Sequence, residues 1–249
     1  MSSNHFLRSE TAKRYERYRP AVHAVIYERL AAAGVSGPFR RAIDIACGTG
    51  HSTEPLLALA ETVEAIDASP EMIAIARSKG LNARVASYDA LLPAAYDLVS
   101  VCMAYQWFDR AAAVQALERA SSPGATWLIY NFSLHGHASE DHFNHWYRGW
   151  YLETYPAPRR AAVEFIPSLT EPDLELIARG TGSLRVAFSR ERLIGYLTTQ
   201  SNVERALGHG ASLEDIESIL HARMPVVAAE DSYVYGFTYS ICRCGRANP

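Results

Sequence analysis

The chain is expected to fold as a doubly wound α/β domain around a mostly parallel sheet. Three observations predict it. Short apolar β-type runs alternate with helical patterns from about Arg41 to Asn131, a glycine-bearing turn (Cys47-Gly48-Thr49-Gly50) follows the first run, and an acid, Asp67, closes the second. Strand, helix, strand at this spacing implies right-handed crossovers, and such crossovers leave neighbouring strands parallel.

Taken in order, strands are expected at Ala42–Ala46, Val63–Asp67, Ala83–Ala86, Asp97–Met103 and Ala125–Asn131. Helices are expected near Ser52–Ala60, Ser69–Lys79 and Arg110–Ala120. Ser69-Pro70-Glu71 is a start signal: an N-cap, a proline at the first helical position, then an acid in the first turn. Pro123-Gly124 makes the turn into the fifth strand. Glu10–Ala33 reads as a helical lead-in interrupted by Pro20. After Asn131 the rhythm breaks. Leu134–Thr181 is rich in aromatics, prolines and histidines, and it reads as an inserted helical cap over 134–183, with 1–133 and 184–249 forming the main domain. Arg190–Gln200 and Leu213–His221 look helical, and Tyr233–Cys242 suits a closing strand.

The bulk numbers set bounds. With 249 residues, 49% of them hydrophobic, the chain can bury one sizeable core. A net charge of -3 and a pI near 6.3 supply no electrostatic reason to expect nucleic acid. Met1 to Glu10 holds no apolar h-region, and no uninterrupted apolar run is long enough to cross a bilayer, so no membrane partner is expected. Four cysteines do not make a disulfide scaffold in a chain of this size. Cys47 and Cys102 read as small apolar packers, and Cys242 and Cys244 lack nearby soft ligands, so no metal is expected; a reducing cytoplasm fits this usage. The basic tint of Arg8, Lys13, Arg14, Arg17 and Arg19 reads as a solvated face.

The chemistry concentrates at Asp44-Ile45-Ala46-Cys47-Gly48-Thr49-Gly50 and Asp67. Glycine lets the backbone turn sharply and lets a ligand approach the main chain. A carboxylate ending the second strand can accept hydrogen bonds from both hydroxyls of a ribose. Asp67 lies 17 residues after Gly50, near the roughly 20 of the dinucleotide fingerprint, but Thr53 stands where that fingerprint has its third glycine. A nucleoside is therefore expected rather than a pyrophosphate. Asp44 is expected to be structural, a strand-end carboxylate that anchors backbone N–H groups of the loop.

In this order and spacing, Asp44–Gly50, Asp67-Ala68-Ser69 with Met72, Asp97-Leu98-Val99 and Pro123-Gly124 resemble the motif series of the class I S-adenosylmethionine-dependent methyltransferases. Gln106-Trp107-Phe108-Asp109 and Tyr18-Arg19-Pro20 are similar to the small-molecule, trans-aconitate methyltransferase-like branch. The resemblance covers residues 10–132 and, loosely, the last 60 residues. It implies a seven-stranded Rossmann-like sheet and S-adenosyl-L-methionine as cofactor. Asp44, Ala46, Gly48 and Gly50 would lie at its methionine part, Asp67 at the ribose, Ala68 and Met72 near the adenine. Ser87, Tyr88 and Asp89 would meet the adenine edge, Met103 and Ala104 the sulfonium, and Tyr18 and Arg19 the cofactor carboxylate. The chain departs from the pattern twice: the segment from Asp89 to Tyr96 is short, and Gln106 stands where many relatives carry histidine.

Methyl transfer from a sulfonium is an in-line displacement, so the protein chiefly positions and desolvates. A carboxylic acid, with pKa about 4, is already ionised at neutral pH, whereas a phenol, at about 10, needs a base. A small-molecule acceptor is expected, methylated at a carboxylate or hydroxyl oxygen, with a nitrogen acceptor as the alternative. His135 and His137 are the candidate bases, with Gln106 beside them. The wider cluster with His142, His145 and Asp141 has spacings that could hold a metal, but ordinary polar residues of a cap explain it better. Trp146, Tyr147, Trp150 and Tyr151 form one aromatic helical face; with Gln106, Trp107 and Asn202 they are candidates for the acceptor pocket. Two other readings stand: a non-catalytic cofactor-binding protein, and a nicotinamide-dependent oxidoreductase, disfavoured by Thr53.

Overall fold

In the computed structural model, residues 9–159, 173–226 and 232–245 are described. They contain strands β1 (Phe39–Ile45), β2 (Ala60–Asp67), β3 (Ala83–Val85), β4 (Tyr96–Cys102), β5 (Ser121–His137), β6 (Leu174–Ala187) and β7 (Ser232–Cys244). These make one seven-stranded sheet in the order β3-β2-β1-β4-β5-β7-β6. The pairs β3–β2, β2–β1, β1–β4 and β4–β5 are all parallel. The helices are α1 (Ser9–Tyr18), α2 (Ala24–Ala32), α3 (Pro70–Ser78), α4 (Arg110–Ala120), α5 (Asp141–Trp146), α6 (Leu152–Thr154), α7 (Arg190–Leu197), α8 (Ser201–Gly208) and α9 (Leu213–Arg223). A doubly wound, mostly parallel sheet is thus the observed fold.

The chain divides into two compact units. The first comprises Met1–Pro20, Phe132–Arg159 and Gly182–Gly236; the second comprises Ala21–Asn131, Arg160–Thr181 and Phe237–Pro249. The second holds the parallel core, where Ile43, Ile45, Ile66, Val99, Val101, Leu117, Trp127 and Ile129 are buried together. These strands are near-continuous apolar runs because both their faces are covered. Asp97 ties β4 to β1, accepting the backbone N–H groups of Arg40 and Arg41 at 2.8 Å each. The α3 start matches its signal: the Ser69 side chain accepts the Met72 N–H at 3.2 Å.

The structure differs from expectation in four places. Where a helix was expected over Ser52–Ala60, only a 3₁₀ turn forms at Glu54–Ala58, because β2 already begins at Ala60. Pro123-Gly124 falls inside β5, at a register shift between its pairing with Tyr96 and with Leu98. β5 also runs past Asn131: Phe132, Leu134 and Gly136 are buried while Ser133 and His135 are exposed, the period of a strand. The expected cap region begins with this strand, continues through α5, a π-helical turn (Tyr147–Tyr151) and α6, and ends in β6. Residues 160–172, within that region, and Arg8 lie outside the described residues.

The first unit is held by aromatic packing. Phe143 stacks on Tyr147 at 6.0 Å, Tyr147 on Tyr151 at 5.4 Å and Trp146 on Trp150 at 5.7 Å. Tyr233 meets Phe143 edge-on at 5.2 Å and Phe188 at 5.7 Å. α1 is pinned to α8 by Glu204, whose buried carboxylate takes Arg14 at 2.6 Å and the Thr11 hydroxyl at 3.1 Å.

Candidate active site

The parallel unit presents its strand ends as a site. Asp67 closes β2, and its two carboxylate oxygens accept the Gly48 N–H at 2.9 Å and the Ser69 N–H at 2.8 Å. A carboxylate has about four lone-pair positions, so the backbone bonds leave acceptor capacity unused. Burial raises the Asp67 pKa, and the N–H groups of Ser69, Gly48 and Ala68 oppose the rise. Gly48 has φ 56° and Gly50 φ 94°; a Cβ on Gly50 would run into Leu81. The loop is braced from outside by Lys79, which donates to the Thr49 carbonyl at 3.2 Å and pairs with Glu54 at 2.7 Å.

Asp44 lies beneath the loop, fully buried. It anchors hydroxyls, not the backbone N–H groups that the sequence suggested: Ser52 and Thr53 each donate to its Oδ2 at 2.7 Å. That explains Thr53 at the third-glycine position, where its side chain is a structural donor. Burial pushes the Asp44 pKa up to about 6, against the hydroxyls of Thr53, Ser52 and Ser100.

Ala46 and Met103, at the ends of β1 and β4, have φ 58° and 56°. Left-handed backbone at a non-glycine residue costs about 1–2 kcal/mol, and such strain gathers at ligand sites. Both are residues that the resemblance assigns to the cofactor, yet neither type advertises this conformation in a sequence. Ala104 is buried beside Met103. The Gln106 amide donates to the Met103 carbonyl at 2.8 Å, so Gln106 shapes the turn after β4. Met72 is buried at the start of α3, following Ala68 and Ser69. Ser87, Tyr88 and Asp89 form the next corner, a 3₁₀ turn in which Tyr88 rests on Phe108 at 4.8 Å, one residue past Trp107.

One constellation in this unit escaped sequence reasoning. His23 lies 3.1 Å from the Tyr130 hydroxyl and 3.8 Å from the Cys102 thiol, and Tyr27 donates to the Ser52 carbonyl at 3.0 Å. Burial lowers the His23 pKa to about 3, so the ring stays neutral. His23-x-x-x-Tyr27 does have the spacing of one helical face, the only signal available.

The remaining candidates belong to the other unit. Tyr18 packs flat where Gly195 leaves no side chain. Arg19 is buried, donating to the Thr199 hydroxyl at 2.9 Å and carbonyl at 2.7 Å. His137 Nδ1 accepts the N–H groups of Ser139 and Glu140 at 3.1 and 2.9 Å, which holds the turn that leads into α5. His135 is exposed on β5, 3.1 Å from the Ser133 hydroxyl and against Gly236. Asn202 is spent internally, on the Tyr155 carbonyl at 2.8 Å and the Val203 N–H at 3.0 Å. Trp146 and Trp150 stack, with Arg223 over Trp150 at 5.3 Å. Among the described residues no three His, Cys, Asp or Glu side chains gather in a metal-binding group, and no helix is long and apolar enough to cross a membrane.

The family model described as a methyltransferase domain matches residues 42–124. An uncharacterized methyltransferase of Schizosaccharomyces pombe is 39% identical over 74 residues, 27% of this chain and 28% of that protein. The match thus spans just over a quarter of that curated relative. A solved structure from Anaeromyxobacter dehalogenans, assigned as a type II methyltransferase, superposes with a TM-score of 0.63 at 23% identity, over 90% of this chain and 96% of its own. Phosphoethanolamine N-methyltransferase 2 of Haemonchus contortus, in complex with phosphomonomethylethanolamine and S-adenosylhomocysteine, superposes with a TM-score of 0.51 at 15% identity, over 96% of this chain and 58% of its own. Sheet order and superposition define the class: this is the class I methyltransferase fold. Within it, residues 42–124 are the part that matches the methyltransferase-domain family model.

Proposed function

We propose that the chain binds S-adenosyl-L-methionine at the ends of β1, β2 and β4 and transfers its methyl group to the carboxylate oxygen of a small molecule. One observation carries the first half: Asp67 receives two backbone N–H bonds and keeps acceptor capacity for a ribose. The left-handed turns at Ala46, Gly48 and Gly50 suit close approach by the cofactor's amino-acid tail. Met103, Ala104 and the turn held by Gln106 bound the sulfonium end. Bound there, the cofactor supplies a methyl group already activated by positive charge. The protein's share is to align the acceptor oxygen and exclude water.

Two histidines among the described residues support the acceptor assignment. His137 Nδ1 is committed to two N–H donors, and His23 stays neutral at any physiological pH. An acceptor that arrives ionised needs neither. The trans-aconitate-like branch and the aromatic first unit favour the same substrate class.

Calorimetric titration with S-adenosylhomocysteine, with NADH as the control, tests the cofactor. Incubation of the full chain with methyl-labelled cofactor and a small-molecule extract tests the acceptor. A methyl ester releases its label as methanol in mild alkali; an ether or a methylamine does not. Alkali-stable label would replace the carboxylate with a hydroxyl or nitrogen acceptor, and binding without any transfer would make this a cofactor-binding protein.

A further inference from the structure

The loop after β1 is fixed by the turn that leaves α3. Gly80, with φ 81°, bends the chain back beneath the helix. Its N–H reaches the Arg77 carbonyl at 2.9 Å, and the N–H of Leu81 reaches the Ala76 carbonyl at 3.3 Å. The bend brings Lys79 and Leu81 to the loop. Leu81 is buried with Cys47, Ile73 and Ala76, and it fills the space in front of Gly50, where a Cβ would run into it. Glycine is therefore required at position 50 from the protein side as well as by its φ of 94°. All these residues belong to the second compact unit.

Lys79 adds a polar link. Its ammonium donates to the Thr49 carbonyl at 3.2 Å and pairs with Glu54 at 2.7 Å. Thr49 lies between the loop glycines, and Glu54 opens the 3₁₀ turn that follows. One cation thus clasps both ends of the bend. Within the bend, the Gly50 N–H goes to the Cys47 carbonyl at 2.9 Å, and those of Thr53 and Glu54 both go to the Gly50 carbonyl at 3.0 Å. Glycine loses more conformational freedom on ordering than any other residue, so a segment with two glycines gains most from an outside clasp. The same ion pair adds little to folding, because the Glu54 side chain is 46% exposed.

We propose that Lys79 is a positioning residue for the cofactor's amino-acid tail. It acts through Thr49 and Gly50, which it keeps in the bend that the tail must meet, so the loop is already ordered when the ligand arrives. The nucleoside end depends on Asp67, which the Gly48 and Ser69 N–H groups fix without Lys79. This inference rests on the cofactor reading above and names a residue, outside the strand ends, that supports the tail and not the nucleoside.

Calorimetry on the full chain compares S-adenosylhomocysteine with methylthioadenosine, which lacks the amino-acid tail. Lys79→Met keeps the length of the side chain and loses its donors. It should weaken S-adenosylhomocysteine by about tenfold, the loss expected when one freed residue is ordered again on binding, and methylthioadenosine by less than about threefold. Lys79→Arg, which keeps the charge and the donors, should bind S-adenosylhomocysteine within about threefold of the wild type. Amide hydrogen exchange without ligand reads the loop directly. In Lys79→Met it should quicken by about tenfold at Gly50, Thr53 and Glu54, and by less than about threefold at Val99 and Val101 of β4, which follow global unfolding. Equal losses for the two ligands, or exchange that quickens in β4 as much as in the loop, would make Lys79 a stabiliser of the fold and overturn the proposal. An unchanged S-adenosylhomocysteine affinity would also overturn it. So would a loss of affinity without faster loop exchange, which would make Lys79 a direct contact. A wild type that binds neither compound would refute the functional reading instead, and the exchange comparison would still judge the clasp.

Discussion

Gly48 donates its backbone N–H to the Asp67 carboxylate at 2.9 Å, so the loop after β1 is tied to the acid that ends β2. The two groups proposed to recognise a nucleoside thus hold each other in place before any ligand arrives. A loop fixed this way pays less ordering entropy on binding than a free one.

Asp67→Ala should therefore act on both binding and folding. It removes the proposed ribose acceptor and leaves the Gly48 and Ser69 N–H groups without their partner. S-adenosylhomocysteine affinity should fall by about thirtyfold or more, and stability by roughly 1–3 kcal/mol. Calorimetry and urea unfolding report the two effects separately. A variant that kept wild-type affinity would remove Asp67 from the site.

Asp44 makes a pH prediction. Its folded pKa is raised to about 6 by burial, above the 3.8 of an ordinary aspartate. The folded state then binds more protons than the unfolded state between those values. Its contribution to stability is complete below about 4 and is lost as pH rises through about 6. Asp44→Asn cannot titrate, so it should lack this slope. Between about pH 4 and 7, wild-type stability should fall by roughly 2 kcal/mol relative to the variant. Urea unfolding at intervals across that range measures the gap, and a gap independent of pH contradicts the assignment.

The parallel core could be read from the sequence because its determinants are local. Period, apolar runs and capping residues such as Ser69 and Asp109 act over a few positions, and α4 occupies Arg110–Ala120 as expected. The loop was readable for the same reason, since glycine declares its backbone freedom. The first unit was readable only in part: helices at Arg190–Leu197 and Leu213–Arg223 lie where expected, but two of its strand segments were missed. Its strand extensions at Ser133–His137 and Gly182–Ala187 interleave glycine, histidine and small polar residues, and their pairing partners are remote in sequence. The left-handed turns at Ala46 and Met103 were equally hidden, because tertiary structure imposes them on residues that do not prefer them.

That imposition can be measured. At Ala46, φ 58° is unfavourable for any side chain and free for glycine. Ala46→Gly should stabilise the protein by up to about 1 kcal/mol, offset in part by unfolded-state entropy. Ala46→Val, with a branched Cβ, should destabilise it by about 2 kcal/mol. Guanidinium unfolding of the three proteins gives the order Gly, Ala, Val if strain governs the site. The reverse order would mean that side-chain packing does.

His137 separates a structural histidine from a catalytic one. Its Nδ1 takes the Ser139 and Glu140 N–H groups, its backbone N–H donates to Asn144 Oδ1 at 2.7 Å, and its ring meets Tyr233 edge-on at 4.9 Å. An asparagine Oδ1 can occupy nearly the place of Nδ1 and cap the same two N–H groups. His137→Asn should then cost about 1 kcal/mol, chiefly in lost aromatic packing, and His137→Ala roughly 2–3 kcal/mol, because the donors lose their acceptor as well. Methyl transfer by the asparagine variant, normalised to folded protein, should keep the wild-type rate and the wild-type dependence on pH. A base would behave differently: both variants would lose turnover alike, and the acidic limb of the wild-type profile, which reports the base becoming ionised, would vanish in each.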